Sequence, residues 1–211
     1  MRISEKTFEL TICSQLTCAF GPFRPFPFYD PQPLWFGLTQ RQEARAGFDA
    51  ATRIGGNRLL LLQYKSGRRL QRGVVKFLAS HQQMKSLHSR LNAQKRLIFY
   101  VLPAITSTRE LATPRPWLLR ETWFLDVADI PNLSKPSRKL GNHLMYLDAT
   151  SGLVQICSEP VNVQAINGEY LAANIGPRYI GASYENFEKF WSYAKLIEKN
   201  AVAVALPQKL T

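Results

Sequence analysis

Residues 39–65 read TQRQEARAGFDAATRIGGNRLLLLQYK, and the fold turns on how this stretch is punctuated. Thr39 and Gln42 stand in the Ser/Thr-x-x-Glu/Gln pattern of a capping box, which starts a helix by satisfying free backbone N–H groups. Gly47 suits the left-handed position that ends one. Residues 47–54 then read as a strand, and Gly55-Gly56-Asn57 as a hairpin turn. Leu59 to Leu62 is an unbroken apolar run, as in a strand covered on both faces. Its end changes character. Gln63 and Lys65 lie two residues apart and so project from one face of the strand, with Tyr64 on the other. Polar side chains leaving a buried strand together must be hydrogen-bonded, paired or bound to something.

Working outward, Ser66 to Ala79 is rich in Arg and Gly and reads as a linker. Ser80 and Gln83 form a second capping box, opening a helix to about Gln94 with Met84, Leu87 and Leu91 on one stripe. Leu97 to Leu102 is a further apolar strand, stopped by Pro103. The order is helix, strand, strand, helix, strand. The helix between the last two strands predicts a parallel pair joined by a right-handed crossover.

Hydrolysis of a phosphodiester needs oxygen ligands for a hard cation and a positive group beside the attacking water. An Asp followed by Gln-x-Lys on adjacent strands supplies such groups. With Glu43 on the helix, Asp49 entering the first strand and Gln63-Tyr64-Lys65 ending the second, residues 38–103 resemble the core of the PD-(D/E)XK nuclease superfamily. This is the restriction-endonuclease-like fold of restriction enzymes, junction resolvases and phage-defence nucleases. Gln63 stands where most members have a carboxylate, and Phe48 where a Pro is usual. Neither Gln82 nor Gln83 satisfies the Gln-x-x-x-Tyr motif of one branch.

The resemblance implies an α/β fold: a mixed sheet flanked by helices, with extra C-terminal strands and a helix. It also implies a site for Mg²⁺ (or Mn²⁺) formed by Glu43, Asp49, the amide oxygen of Gln63 and the backbone carbonyl of Tyr64. Lys65 would hold the attacking water and stabilise transition-state charge. The residues alone leave another reading open: Glu43 and Asp49 solvated, or paired with Arg41, Arg45, Arg53 or Arg58.

Charge points to a polyanion. The chain carries 27 Lys+Arg against 15 Asp+Glu, a net charge of +12. No acidic residue lies between Asp49 and Glu110. Arg53, Arg58, Arg68, Arg69, Arg72, Lys76, Lys85 and Arg90 fall there and are the candidate phosphate contacts. A basic solvated surface, or docking onto an acidic protein, would use the same residues. Charge does not separate DNA from RNA; the resemblance implies DNA.

At 211 residues and 45% hydrophobic, the chain reads as one domain able to bury a core without cross-links. The core spans 38–103, preceded by a strand at 6–14 and a Pro/aromatic loop at 19–36, and followed by a C-terminal elaboration. Cys13, Cys18 and Cys157 form no Cys-x-x-Cys pair, which argues against zinc and for a reducing cytoplasm. Charges near the N-terminus exclude a signal peptide, and no stretch is long and apolar enough to span a membrane. Downstream, 117–127 and 144–156 read as strands, the latter two joined by a turn at Asp148 to Gly152. Residues 132–143 form a basic loop with Lys135, Arg138 and Lys139, and 184–203 a helix capped by Ser183. His81, His88 and His143 read as surface or hydrogen-bonding residues.

The expected function is metal-dependent hydrolysis of DNA, in defence against foreign DNA or in repair. A partner subunit would supply specificity or ATP-driven activation. The rivals are a catalytically inactive nucleic-acid-binding or scaffold subunit of the same fold, and a basic protein-interaction module.

Overall fold

The leucine run lies in a central strand covered on both faces. A computed structural model of the chain describes residues 3–20, 35–54, 58–71, 73–93, 97–111, 117–134, 141–174 and 202–204. The elements are α1 (Glu5–Phe20), β1 (Trp35–Gly37), α2 (Gln40–Ala46), β2 (Ala50–Ile54), β3 (Arg58–Tyr64), β4 (Arg68–Gln71), β5 (Val74–Ser80), α3 (His81–Ala93) and β6 (Leu97–Pro103). They continue with α4 (Thr108–Leu111), β7 (Thr122–Asp126), a 3₁₀ turn (Val127–Asp129), β8 (Asn142–Asp148), β9 (Leu153–Ile156), β10 (Val161–Gln164), β11 (Ile166–Asn167), α5 (Gly168–Asn174) and β12 (Val202–Val204).

Two sheets form. The larger has seven strands in the order β11-β7-β6-β3-β2-β1-β12, and the smaller five in the order β10-β9-β8-β5-β4. Strands β3 and β6 are parallel, Leu61 beside Ile98 and Gln63 beside Tyr100, as the intervening helix requires. Their described neighbours run antiparallel, so the sheet is mixed. The protein is α/β, with helices against its larger sheet.

Alternation along β3 assigns the layers. Leu60, Leu62 and Tyr64 face Phe8, Ile12 and Leu16 of α1 and Leu171 of α5. Leu61 faces the other way, with Ile98, Tyr100 and Leu102 of β6, toward Met84 and Leu87 of α3. The inner face of the second sheet (Val75, Phe77, Met145, Leu147, Val154, Ile156) closes that side. Each such buried aliphatic side chain contributes about 1.5–3 kcal/mol.

Four expectations are corrected. Residues 6–14 are helical: Phe8, Leu10 and Ile12 do alternate, but Phe8, Ile12 and Leu16 recur every four residues and are the buried ones, while Leu10 is 59% exposed. Ser4 Oγ accepts from Thr7 N–H at 3.1 Å at the start of that helix. Residues 66–79 are not a linker but the β4–β5 hairpin, in which Val75, Phe77 and Ala79 alternate into the core. This hairpin leaves the larger sheet and founds the smaller one. Of 117–127 only Thr122–Asp126 is strand, residues 118–121 being a turn. Residues 202 and 203, expected to end a helix, lie in β12 against β1. The rest of 184–203, the loop from 21 to 34, the turn at 55–57 and Lys135, Arg138 and Lys139 lie outside the described residues.

The α2 capping box is present, with Thr39 N donating to Gln42 Oε1 at 2.7 Å, and Gly47 closes the helix at φ 80°. The β8–β9 hairpin also forms where expected. Gly67 is required by crowding, since a Cβ there would stand 2.4 Å from Val75 Cγ1. It lets the chain turn from β3 directly onto the second sheet.

Candidate active site

The capped helix and its left-handed glycine deliver the chain to the edge of β3. Phe48 is buried, and Asp49 N donates to the Leu62 carbonyl at 2.9 Å, while Asp49 O accepts from Leu38 N at 3.1 Å. This clamp aims the Asp49 side chain along the end of β3. Its Oδ2 accepts from Tyr64 N–H and from Gln63 Nε2, each at 2.6 Å. Gln63 Nε2 also donates to the Tyr64 carbonyl at 3.0 Å.

The network continues through Gln83, the third residue of α3. Gln83 Nε2 donates to Gln63 Oε1 at 2.6 Å, and Gln83 Oε1 accepts from Lys65 Nζ at 2.7 Å. The second capping box is therefore corrected: the Gln83 side chain is engaged by the β3 residues. A carboxylate only accepts and an ammonium only donates, so the ends fix the orientation of both amides. Hydrogens point one way, from Lys65 through Gln83 and Gln63 to Asp49. Asp49 and Gln63 are buried, at 7% and 1% exposure. A hydrogen bond to a charged group contributes about 1.5–3 kcal/mol in such surroundings.

Burial has pushed the carboxyl of Asp49 up to about 7, reinforced by the nearby Glu43 and opposed by the Tyr64 N–H and Lys65. The Lys65 amine is lowered by burial, against the pull of Glu5, Asp49 and Glu43. Glu43 is raised, first by burial and then by Glu9 and Glu5, with Lys6 and Lys65 opposing. The first turns of α1 thus join the site. Glu5 Oε1 accepts from Ser66 N at 2.8 Å, and Glu9, 6% exposed, pairs with Lys6 at 2.7 Å. Tyr100 stands beside Gln63 across the β3–β6 register, fully buried, its hydroxyl without a hydrogen-bond partner among the described residues. Burial and the Asp49 charge raise its phenol.

Asp49, Gln63, Tyr64 and Lys65 are therefore brought together, and Glu43 is coupled to them electrostatically. Gln83, Glu5 and Glu9 were missed. A helical reading of residues 5–20 would have put Glu5 and Glu9 on one face, four apart; nothing local marks Gln83.

Among the basic candidates, Arg68 and Lys85 are exposed and Lys76 partly so. Arg69 is engaged, donating to the Ala104 carbonyl at 2.8 Å and pairing with Glu110 at 3.2 Å. Arg72 and the side chains of Arg53, Arg58 and Arg90 lie outside the described residues. Of the two readings offered for His143, surface or hydrogen-bonding, the second holds: it is buried and hydrogen-bonded. His81 Nδ1 lies 3.0 Å from its Nε2, and its Nδ1 lies 2.5 Å from Ser158 Oγ.

Among the described residues no group of three or more His, Cys, Asp and Glu side chains is arranged to hold a metal ion. No described helix is long and apolar enough to cross a membrane. No protein-family model matches the chain, and searches of curated proteins and of solved structures find no match.

Proposed function

We propose that this protein is a metal-dependent nuclease-like enzyme of restriction-endonuclease-like fold that hydrolyses DNA phosphodiesters, in defence against foreign DNA or in repair. The reading includes a cytoplasmic setting and a partner subunit supplying specificity or ATP-driven activation. One observation carries it: a buried, directional chain from Lys65 to Asp49, with the acid raised and the amine lowered, beside a third ionisable group, Glu43. Opposed shifts of this kind are concentrated where chemistry is done.

The donor set fits Mg²⁺. That ion commonly takes one or two carboxylates and fills its remaining positions with water and substrate phosphate. Asp49 and Glu43 supply the carboxylates; burial raises both, with neighbouring acids adding to it, and a cation would offset that penalty on their charged forms. The neutral oxygens of Gln63 and Tyr64 are already hydrogen-bonded, to Gln83 and to the Gln63 amide, and would have to exchange those partners to serve as ligands. Bound Mg²⁺ or Mn²⁺ would supply Lewis acidity toward the phosphate and a more acidic water. Lys65 as the ammonium orients the attacking water; burial makes its proton easier to lose to solvent, and only the neutral amine so formed can take the proton of the water. Gln83 holds the amine at a fixed place, which limits the reorganisation required in the transition state.

The rival reading, a binding subunit that kept the fold and lost the chemistry, is favoured by one feature. Gln63 donates to the very carboxylate that a (D/E)-x-Lys enzyme would pair with a second metal-binding carboxylate. Plasmid, linear and single-stranded DNA incubated with the purified chain in Mg²⁺, Mn²⁺ or chelator separates the two. Cleavage that needs metal supports the enzyme, and DNA binding without cleavage under all conditions supports the rival.

A further inference from the structure

The second sheet turns one face to the core and the other to solvent. Cross-strand register on the outer face aligns one residue from each of its five strands. Arg68 of β4 pairs with Lys76 of β5, Lys76 with Tyr146 of β8, Tyr146 with Gln155 of β9, and Gln155 with Asn162 of β10. Their strand neighbours Val75, Phe77, Met145, Leu147, Val154, Ile156 and Val163 are buried on the inner face. The row therefore points outward across four strand spacings, about 19 Å at roughly 4.8 Å each.

Two features of this row point to an anionic ligand with exposed rings. Arg68 and Lys76 are directly opposite each other, and like charges in that relation destabilise a sheet. Among the described residues neither has an acidic partner. Asp148, on the same face of β8, is occupied within its own turn by Thr150 N and Ser151 Oγ. An anion over the pair turns the repulsion into attraction. Next in the row, Tyr146 offers a partly exposed ring, with Gln155 and Asn162 supplying amides beyond it. Leu78, opposite Leu144 on the same face, is 52% exposed and extends the apolar surface beside the ring.

We infer that this face binds single-stranded nucleic acid, with phosphate on Arg68 and Lys76, a base stacked on Tyr146 and amide contacts from Gln155 and Asn162. A flat sheet with a ring and amides suits splayed bases, whereas duplex readout inserts an element into a groove. The inference rests on the nucleic-acid part of the proposed function. It adds a binding surface only three residues along the chain from Lys65.

The test is fluorescence anisotropy of the full chain with labelled oligothymidylate, oligouridylate and a duplex of equal length, in chelator and over a salt series. Single strands of either sugar should bind more tightly than duplex. Arg68→Gln with Lys76→Gln should lower the salt slope on single strands by up to about 1.4, from roughly 0.7 per lost contact. Tyr146→Ala should weaken binding roughly 5- to 150-fold for one stacked base, and Tyr146→Phe should retain it. Tyr146→Leu replaces the alanine variant if that one melts early. Wild-type affinity and slope in the folded charge and ring variants, or a preference for duplex, would overturn the inference. Chelator suppresses metal-dependent hydrolysis, so binding at this face is scored apart from the cleavage assays.

Discussion

Helix α3 begins between two partly buried polar networks of similar build and opposite electrical character. On one side Asp49, Gln63, Gln83 and Lys65 form a chain with a carboxylate at one end and an ammonium at the other. On the other, His81, His143 and Ser158 form a chain with no carboxylate in it. Burial acts on both, lowering His143 as it lowers Lys65. The histidine chain can answer by remaining neutral, and it ends on the exposed Ser158, where water can replace a lost partner. The Asp49–Lys65 chain sheds its charges only by taking up a proton at Asp49 or losing one from Lys65. Both networks satisfy buried polar groups, but only the first stores a charge separation that a cation or a phosphate could use.

The largest expected effect breaks the charged ends. Asp49→Ala and Lys65→Ala should each reduce metal-dependent DNA cleavage at least about a hundredfold. Circular dichroism should report a folded chain in both. Cleavage at wild-type rate in either folded variant would remove that residue from the chemistry, and His143→Gln should leave the rate unchanged.

Charge at the middle of the chain is the next probe. Gln63→Glu places a second carboxylate where an amide now donates to Asp49 at 2.6 Å. The metal-free variant should melt below wild type, and Mg²⁺ should raise its melting temperature more than it raises that of wild type. An equal Mg²⁺ response in the two proteins would mean that position 63 faces no metal.

Removing the link should cost less. Gln83→Leu leaves Gln63 Oε1 and Lys65 Nζ without their partner, a loss of about 1–3 kcal/mol in urea unfolding. Ser158→Ala, its counterpart in the neutral network, should stay within about 0.5 kcal/mol. Comparable losses would show that the two networks are equivalent scaffolding.

A final probe is pH. Asp49 titrates at about 7 in the folded protein against an ordinary value of 3.8. Between those values the folded chain keeps a proton that the unfolded chain has released. Stability from this group is therefore fully present below its ordinary value and is lost as pH rises through about 7. The slope is at most about 1.4 kcal/mol per pH unit. Asp49→Asn should flatten that slope, and a difference between the two proteins that does not vary with pH would refute the shift. By the same linkage, Mg²⁺ binding should weaken as pH falls below 7, because the ion competes with that proton.

Much of the site's corner was legible in the sequence. The Thr39–Gln42 box, the Gly47 cap, the shared face of Gln63 and Lys65 and the parallel β3–β6 pair all follow from signals within a few residues or from the order of elements. Capping, positive φ and strand alternation are properties of short segments, so residue type alone expresses them. Only the tertiary structure chose between helix and strand for residues 6–14. Phe8, Leu10 and Ile12 suit one period and Phe8, Ile12 and Leu16 the other, and the Leu60, Leu62 and Tyr64 face of β3 selects the second. Only the tertiary structure drew 66–79 into a second sheet, through register with β8. The polar chain was settled in the same way. Its partners lie 14, 18 and 20 residues apart, and no local pattern records which buried amide will meet which charge. That pairing is imposed by desolvation, which leaves each buried polar group to find a partner among whatever the packed elements bring within reach.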